Sequence, residues 1–362
     1  MYENELKAIK KANRYRKREL FDDSLIDLAS NDYLGLSEDR ELFDSAVKRV
    51  KRYKTHAPKA SQLVNGYHPI HKEFEEYLSS LNSFSSGLVV GSGFLANLSL
   101  IEALPRKNDI LILDELYHAS GILASKLVDC EVLYFRHNDM NHLKEILDSC
   151  DYHRAIVCVE GIYSMEGDIV DVRVFDITNR DNVLLIVDEA HSSGVLGDNL
   201  LGVFDYYNIT PSKNHIKMGT LGKAYGSYGA FILADKEIIE FLQNRAKAII
   251  YATAPSVFDI ALALENVKKI NEKKVEISLK IDRIRELIKN IFDLKLDGLI
   301  LKLDVKDSSQ ALVLKSYARN RGFLIGAIRP PTVKKAIIRL IPRVNIDIDI
   351  LENFLLELKN EI

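Results

Sequence analysis

Four residues could do chemistry together: Asp188, His191 three positions on, and Lys223 and Thr220 in "GTLGKAYGSYGA" (219–230). Asp188 ends the apolar run "VLLIV". A carboxylate there must be paired or put to use, because a lone buried charge is costly. Lys223 stands among glycines, which permit unusual backbone angles and close approach of a ligand. An acid, a histidine and a glycine-flanked lysine at successive strand ends fit a pyridoxal phosphate site. The lysine amine bonds the aldehyde, the carboxylate keeps the pyridine nitrogen protonated, and the histidine reaches the ring oxygen. Phosphate needs backbone N–H groups at a helix start. "GSGFLANLSLIEAL" (91–104) offers a glycine-rich turn opening an apolar helix, and Thr220 adds a hydroxyl.

These residues need a frame. Short runs rich in Val, Ile and Leu recur as "GLVVG", "DILILD", "EVLYF", "AIVCVEG", "NVLLIVDEAH", "HIKMGT" and "GAFILAD" between positions 87 and 235. Most lack alternation, as expected for strands covered on both faces. Stretches such as "NHLKEILDSC" (141–150) between them are long enough for helices, which predicts an α/β fold with an open, mainly parallel sheet. In such sheets ligands bind beyond the carboxyl ends of the strands. Five strand ends converge there: 91–93, 114–118, 160–164, 188–191 and 220–223. From about Val267 a charged helical stretch leads into "LILKLDV", "FLIGAI" and "AIIRLIP", a smaller α+β unit. The expected organisation is an N-terminal segment over 1–40 packing with the small domain, a large domain over 41–266 and a small domain over 267–362.

The remaining bulk properties exclude other classes. At 47% hydrophobic and 28% charged, the 362 residues read as globular. A net charge of −3 excludes a nucleic-acid footprint, and the basic run "KKANRYRKR" (10–18) is a local amphipathic helix. No apolar run approaches a membrane span. Three cysteines without CxxC spacing and an N-terminus with charges throughout predict a cytoplasmic protein.

The residues also resemble a known family. "ASNDYLGL" (29–36), "SQLVNGYHPIHKEFEE" (61–76), "SGFLAN" (92–97), "DELYHAS" (114–120), "FRHND" (135–139), "EGIYSMEGD" (160–168), "VDEAHSSGVLG" (187–197), "TLGKAYG" (220–226), "IYATAP" (250–255) and "AIRPPTV" (327–333) are similar to segments of the α-oxoamine synthases. These belong to the aspartate-aminotransferase-like, fold-type-I pyridoxal phosphate enzymes. The resemblance spans nearly the whole chain and implies a decarboxylative acyltransferase. It is strongest to the branch of biotin biosynthesis that joins L-alanine to a pimeloyl thioester on acyl carrier protein or CoA. The alternative is another branch, such as the 2-amino-3-ketobutyrate CoA ligases, which use glycine. Relatives that lack the lysine are non-catalytic, and Lys223 argues against that reading.

The resemblance assigns pyridoxal 5'-phosphate to Lys223 and Asp188, with His118 stacked on its ring and His191 on its oxygen. Gly93, Phe94 and Thr220 would hold the phosphate, joined by Thr253 from the other subunit of a homodimer with shared active sites. Glu160 and Ser164 would line the pocket. Asn31, Arg339 and Arg329 would receive carboxylate, and Thr332 with Arg14 or Arg16 would meet the acyl substrate. Gln62 stands where the family's segment carries arginine, and "HAPKASQLVNG" has fewer glycines than that segment.

Overall fold

The computed structural model describes residues 1–12 and 14–362; Asn13, inside the basic run, lies outside the described residues. The chain begins with α1 (Glu3–Lys11), β1 (Ile26–Leu28), α2 (Arg40–Val50) and α3 (Pro69–Leu81). Strands and helices then alternate through β2 (Ser86–Val90), α4 (Gly93–Ala103), β3 (Ile110–Asp114), α5 (Ala119–Ala124), β4 (Glu131–Phe135) and α6 (Met140–Ser149). There follow β5 (Ala155–Glu160), α7 (Arg173–Ile177), β6 (Val183–Asp188), α8 (Val203–Tyr206), β7 (His215–Thr220), β8 (Ala230–Ala234), α9 (Lys236–Arg245) and α10 (Lys247–Ile250). The long α11 (Val257–Phe292) leads to β9 (Leu301–Asp304), α12 (Ser308–Asn320), β10 (Phe323–Ile328), β11 (Ile337–Leu340) and α13 (Ile348–Glu361).

Two compact units result. One comprises Leu34–Ser164 and Asp168–Leu279; the other comprises Met1–Tyr33, Met165–Gly167 and Lys280–Ile362. The larger unit holds a seven-stranded sheet in the order β2-β8-β7-β6-β5-β3-β4. The pairs β3–β4, β3–β5, β5–β6 and β6–β7 are parallel, and β8 alone runs against its neighbours β7 and β2. The apolar runs read from the sequence are these strands. β3, β5 and β8 are buried at every position, as helix-covered strands must be.

The smaller unit holds a four-stranded sheet in the order β1-β10-β11-β9. β1 is parallel to β10, and the other two pairings are antiparallel. Stacked rings of Phe323 and Phe354, 3.9 Å between centroids, tie β10 to α13. Among the described residues, no helix is long and apolar enough to cross a membrane.

Candidate active site

The carboxyl ends of β3, β5, β6 and β7 carry Asp114, Glu160, Asp188 and Thr220. β5 and β6 are in parallel register with Glu160 opposite Asp188, which places two buried carboxyl groups on adjacent strand ends. They are handled differently. Asp188 accepts from the side-chain amide of Asn97 at 2.9 Å and from the Ala190 N–H at 3.0 Å. Glu160 accepts at Oε2 from the Ser164 N–H at 3.0 Å, and its Oε1 has no hydrogen-bond partner among the described residues. Burial first, and the Asp188 carboxylate second, raise the Glu160 carboxyl well above the usual range. Two neighbouring carboxyl groups do not both ionise cheaply, and more hydrogen-bond donors favour the charged form. Asp188 has two such donors and Glu160 one.

Lys223 meets His191, with Nζ and Nε2 2.8 Å apart. Such a contact needs one donor and one acceptor, so the amine and the imidazole cannot both be fully protonated. The turn that brings them together is built by sequence. Ser192 N–H and Ser193 N–H fold back onto the Glu189 carbonyl, so His191 follows Asp188 within a tight turn. Lys223 lies in the connection from β7 to β8, which is closed by Leu221 N–H to the Gly229 carbonyl at 2.9 Å. Gly226 and Gly229 take φ of 54° and 123° there, which a side chain would resist.

His118 precedes α5 and caps it: its Nδ1 accepts from the Ser120 N–H at 3.3 Å and lies 2.7 Å from the Ser120 hydroxyl. An Nδ1 that accepts carries no proton, so a neutral ring holds its hydrogen on Nε2. Burial lowers the His118 pKa, Asp188 opposes that shift, and Lys223 reinforces it. The ring is neutral as a result.

Gly93 opens α4, where Ser92 Oγ accepts from the Leu95 N–H at 3.2 Å. A methyl group at Gly93 would come within 3.6 Å of Thr220 Cβ, so the first turn of α4 and the end of β7 lie side by side. Thr220 itself donates to the Gly229 carbonyl at 3.0 Å and accepts from the Gly222 N–H at 3.3 Å. Phe94, next to Gly93, is partly exposed. Thr253 is exposed in the segment after α10, whose Ala254 N–H donates to the Ala60 carbonyl.

The expected substrate residues belong to the smaller unit. Arg16 donates to Thr332 Oγ1 at 2.8 Å, and Arg14, Arg16, Arg329 and Thr332 line a cavity of about 290 Å³. Arg339 is buried on β11, and Asn31 precedes the buried Asp32, which faces Arg343 at 3.5 Å.

Several contributors escaped the sequence reading. Asn97 bridges Asp188 and Ser120, and Tyr117 donates to Asn97 Oδ1 at 2.6 Å. An asparagine inside the apolar stretch "FLANLSL" is a legible signal, since a buried amide needs partners. Gln62 uses its amide to donate to the Val89 carbonyl at 2.8 Å, while the Val89 N–H goes to Glu75 at 2.8 Å. That ties its segment to the edge strand β2.

Comparisons with known proteins bear on the fold and the family. The profile of the family "Aminotransferase class I and II" matches residues 23–342. The chain is 43% identical over 342 residues to an 8-amino-7-oxononanoate synthase of Helicobacter pylori, covering 94% of this chain and 92% of the relative. It is 36% identical to a putative 8-amino-7-oxononanoate synthase of Aquifex aeolicus, over 93% and 91% of the two chains. Among solved structures, the 8-amino-7-oxononanoate synthase of Francisella tularensis matches with a TM-score of 0.77 at 28% identity, covering 94% and 98%. A serine palmitoyltransferase from S. paucimobilis matches with a TM-score of 0.88 at 20% identity, covering 99% and 97%, which bears on the fold alone.

Proposed function

Because the chain belongs to the class I and II aminotransferase family, and within it to the α-oxoamine synthases, we propose that it makes 8-amino-7-oxononanoate for biotin. L-Alanine and a pimeloyl thioester join, carbon dioxide leaves, and the thiol of the carrier is released. The carrier is acyl carrier protein or CoA. The observation that carries this reading is the Lys223–His191 contact at 2.8 Å at the strand ends that also carry the buried Asp188, in a chain 43% identical to an 8-amino-7-oxononanoate synthase.

Pyridoxal 5'-phosphate fits the residues present. A buried carboxyl group held by an amide, an amine in contact with a histidine, a glycine opening a helix beside Thr220 and a Glu160 Oε1 unpartnered among the described residues are what its ring, aldehyde and phosphate need. When bound, the cofactor supplies an electron sink for negative charge at the amino-acid Cα. Asp188, oriented by Asn97, would face the pyridine nitrogen and favour its protonation. His191 would meet the ring oxygen, and the N–H groups of Gly93 and Phe94 with Thr220 would hold the phosphate. Lys223 would anchor the aldehyde and serve as the base at the amino-acid Cα. His118, with its hydrogen on Nε2, would lie against the ring and offer that hydrogen to the acyl carbonyl oxygen. Ser164 and Glu160 would line the pocket.

In the smaller unit, Asn31, Arg339 and Arg329 would receive the alanine carboxylate, while Thr332 with Arg14 or Arg16 would meet the acyl substrate. We also read the protein as a homodimer in which Thr253 of a second copy reaches the phosphate. Support comes from exposed apolar side chains: Val64 at 76%, Tyr251 at 80%, and also Leu63, Phe94 and Tyr228. The α10 segment binds the Leu63 segment through Ser61 Oγ to the Ile250 carbonyl at 2.8 Å. The three cysteines are free thiols, which supports a reducing cytoplasm.

The test offers purified protein a panel of amino acids and acyl thioesters and follows carbon dioxide release. Release with alanine and a pimeloyl thioester, absent in Lys223→Ala, is expected. Turnover of glycine with acetyl-CoA in preference to that pair would overturn the assignment.

A further inference from the structure

His137, in the turn after β4, stands between two carboxylates. Its Nδ1 lies 3.1 Å from Asp114 Oδ1 and its Nε2 lies 3.1 Å from Asp168 Oδ2. Carboxylate oxygens accept hydrogen bonds, and a ring that meets one at each nitrogen satisfies both contacts as an imidazolium with two donors. Burial works against that charge, but the two aspartates outweigh it and lift the pKa to about 10. The ring also meets Tyr163 edge-on, 4.4 Å between centroids.

The two carboxylates belong to separate pieces of the pocket wall. Asp114 ends β3, is fully buried, and accepts from Leu116 N–H, Asn138 N–H and the Tyr163 hydroxyl, each at 2.8 Å. Leu116 N–H and Tyr117 N–H both fold onto Asp114, and the turn they make delivers His118. Asp168 closes the chain that leaves β5: its carbonyl accepts from Tyr163 N–H, Val170 N–H reaches the Gly161 carbonyl, and Ile162 bridges Ile169. That chain carries Ser164, whose N–H holds Glu160. Asn138 reinforces the join, donating to Asp168 at 3.2 Å and to the Ile169 carbonyl at 2.9 Å.

We propose that His137 is a positioning residue whose cation ties the β3 end to the chain after β5, fixing His118 and Ser164 relative to each other. No other cation contacts either carboxylate among the described residues, so the imidazolium is the counter-charge that joins the three neutral donors on the buried Asp114. As regards the cofactor, the inference rests on the function proposed above; as regards the tie itself, it does not.

The experiment compares the full-length protein with His137→Gln, His137→Arg and Asp168→Asn. Amide exchange is read at Leu116, Tyr163 and Val170 against the rest of the chain. Pyridoxal phosphate affinity is read from its rebinding to stripped protein, and kcat and KM for alanine complete the set. In His137→Gln the three amides should exchange at least about tenfold faster, with distant amides unchanged. Cofactor affinity and kcat should each drop about tenfold, with a smaller change in KM. Arginine keeps the charge and two donors, so His137→Arg should return all four readouts to within about threefold. Asp168→Asn should loosen Tyr163 and Val170 but leave Leu116 as it was.

Three results would overturn the proposal: unchanged exchange in His137→Gln, acceleration spread evenly over the chain, or an arginine variant as impaired as glutamine. If His137→Gln does not fold, unaltered exchange in Asp168→Asn overturns it equally well. Failure of the wild type to bind pyridoxal phosphate would count against the proposed function, and the exchange data would still decide the tie.

Discussion

Replacing Lys217 by methionine should destabilise the protein severely although Lys217 touches none of the reacting groups. Lys217 lies on β7 and Glu189 follows β6, and both are completely buried, with Nζ and Oε1 3.7 Å apart. The amine donates to Asn82 Oδ1 at 2.8 Å and to the Leu201 carbonyl. Burial lowers the Lys217 pKa, and Glu189 opposes the shift. Glu189 also gathers the Val203 N–H and the Ser192 hydroxyl, and a methyl at Gly202 would collide with its carboxylate. Removing one member of a buried pair leaves the other charge stranded and costs about 3–5 kcal/mol. At 1.4 kcal/mol per decade, that is a loss of about 140- to 3700-fold in the folded-to-unfolded ratio. Methionine preserves most of the volume, so packing contributes little to this figure. Urea unfolding followed by circular dichroism measures it. Adding Glu189→Gln to Lys217→Met should recover about half of the loss or more, because the stranded charge is gone. A single variant within about 1 kcal/mol of wild type, or a double variant no better than the single, would refute the reasoning.

Three further outcomes are expected. Asp188→Asn removes the anion but keeps the shape, and should slow turnover by about 30- to 150-fold, the equivalent of about 2–3 kcal/mol for a hydrogen bond to a charged group; steady-state rates with bound cofactor check this. Burial raises Glu75 to about 7, against hydrogen bonds from Tyr67 and Val89. Its native form therefore holds a proton that the unfolded chain releases near 4.5, so stability should fall by about 3 kcal/mol as pH rises from about 4.5 to 7. Glu75→Gln should flatten that fall in denaturation midpoints measured across the window. Mixing Lys223→Ala chains with chains inactivated at Thr253 should restore part of the activity, because one site per mixed dimer has both intact halves. With subunit exchange shown by mass, no recovery would place each site within a single chain.

The sheet was legible because β3, β5 and β6 are buried on both faces, and such strands write themselves as unbroken Val, Ile and Leu. The strand ends followed, since the polar residue that terminates each run is where the ligand side must be. The partners of those residues were not legible. Asn97 reaches Asp188 across 91 positions and Lys217 reaches Asn82 across 135, and neither spacing carries a local signal. "HIKMGT" gave a strand, but nothing in it says that its lysine is sealed from water. Likewise "FRHND" marked a resemblance, and only the fold shows that its histidine sits between two acids.

The antiparallel placement of β8 has a mechanical result for Lys223. In the parallel part of the sheet, chain leaving a strand end climbs away through a crossover and returns many residues later. After β7 it turns straight back, with Thr220 paired to Ala230, and β8 is gripped on its other edge by β2. Lys223 is thus mounted on a short closed ring of chain, clamped at both feet, and not on a cantilever. Adding or deleting one residue in 221–229 cannot be absorbed by sliding β8, because a slip of one position would turn every side chain of that fully buried strand to the opposite face. The length of this loop is consequently as constrained as the identity of the lysine it carries.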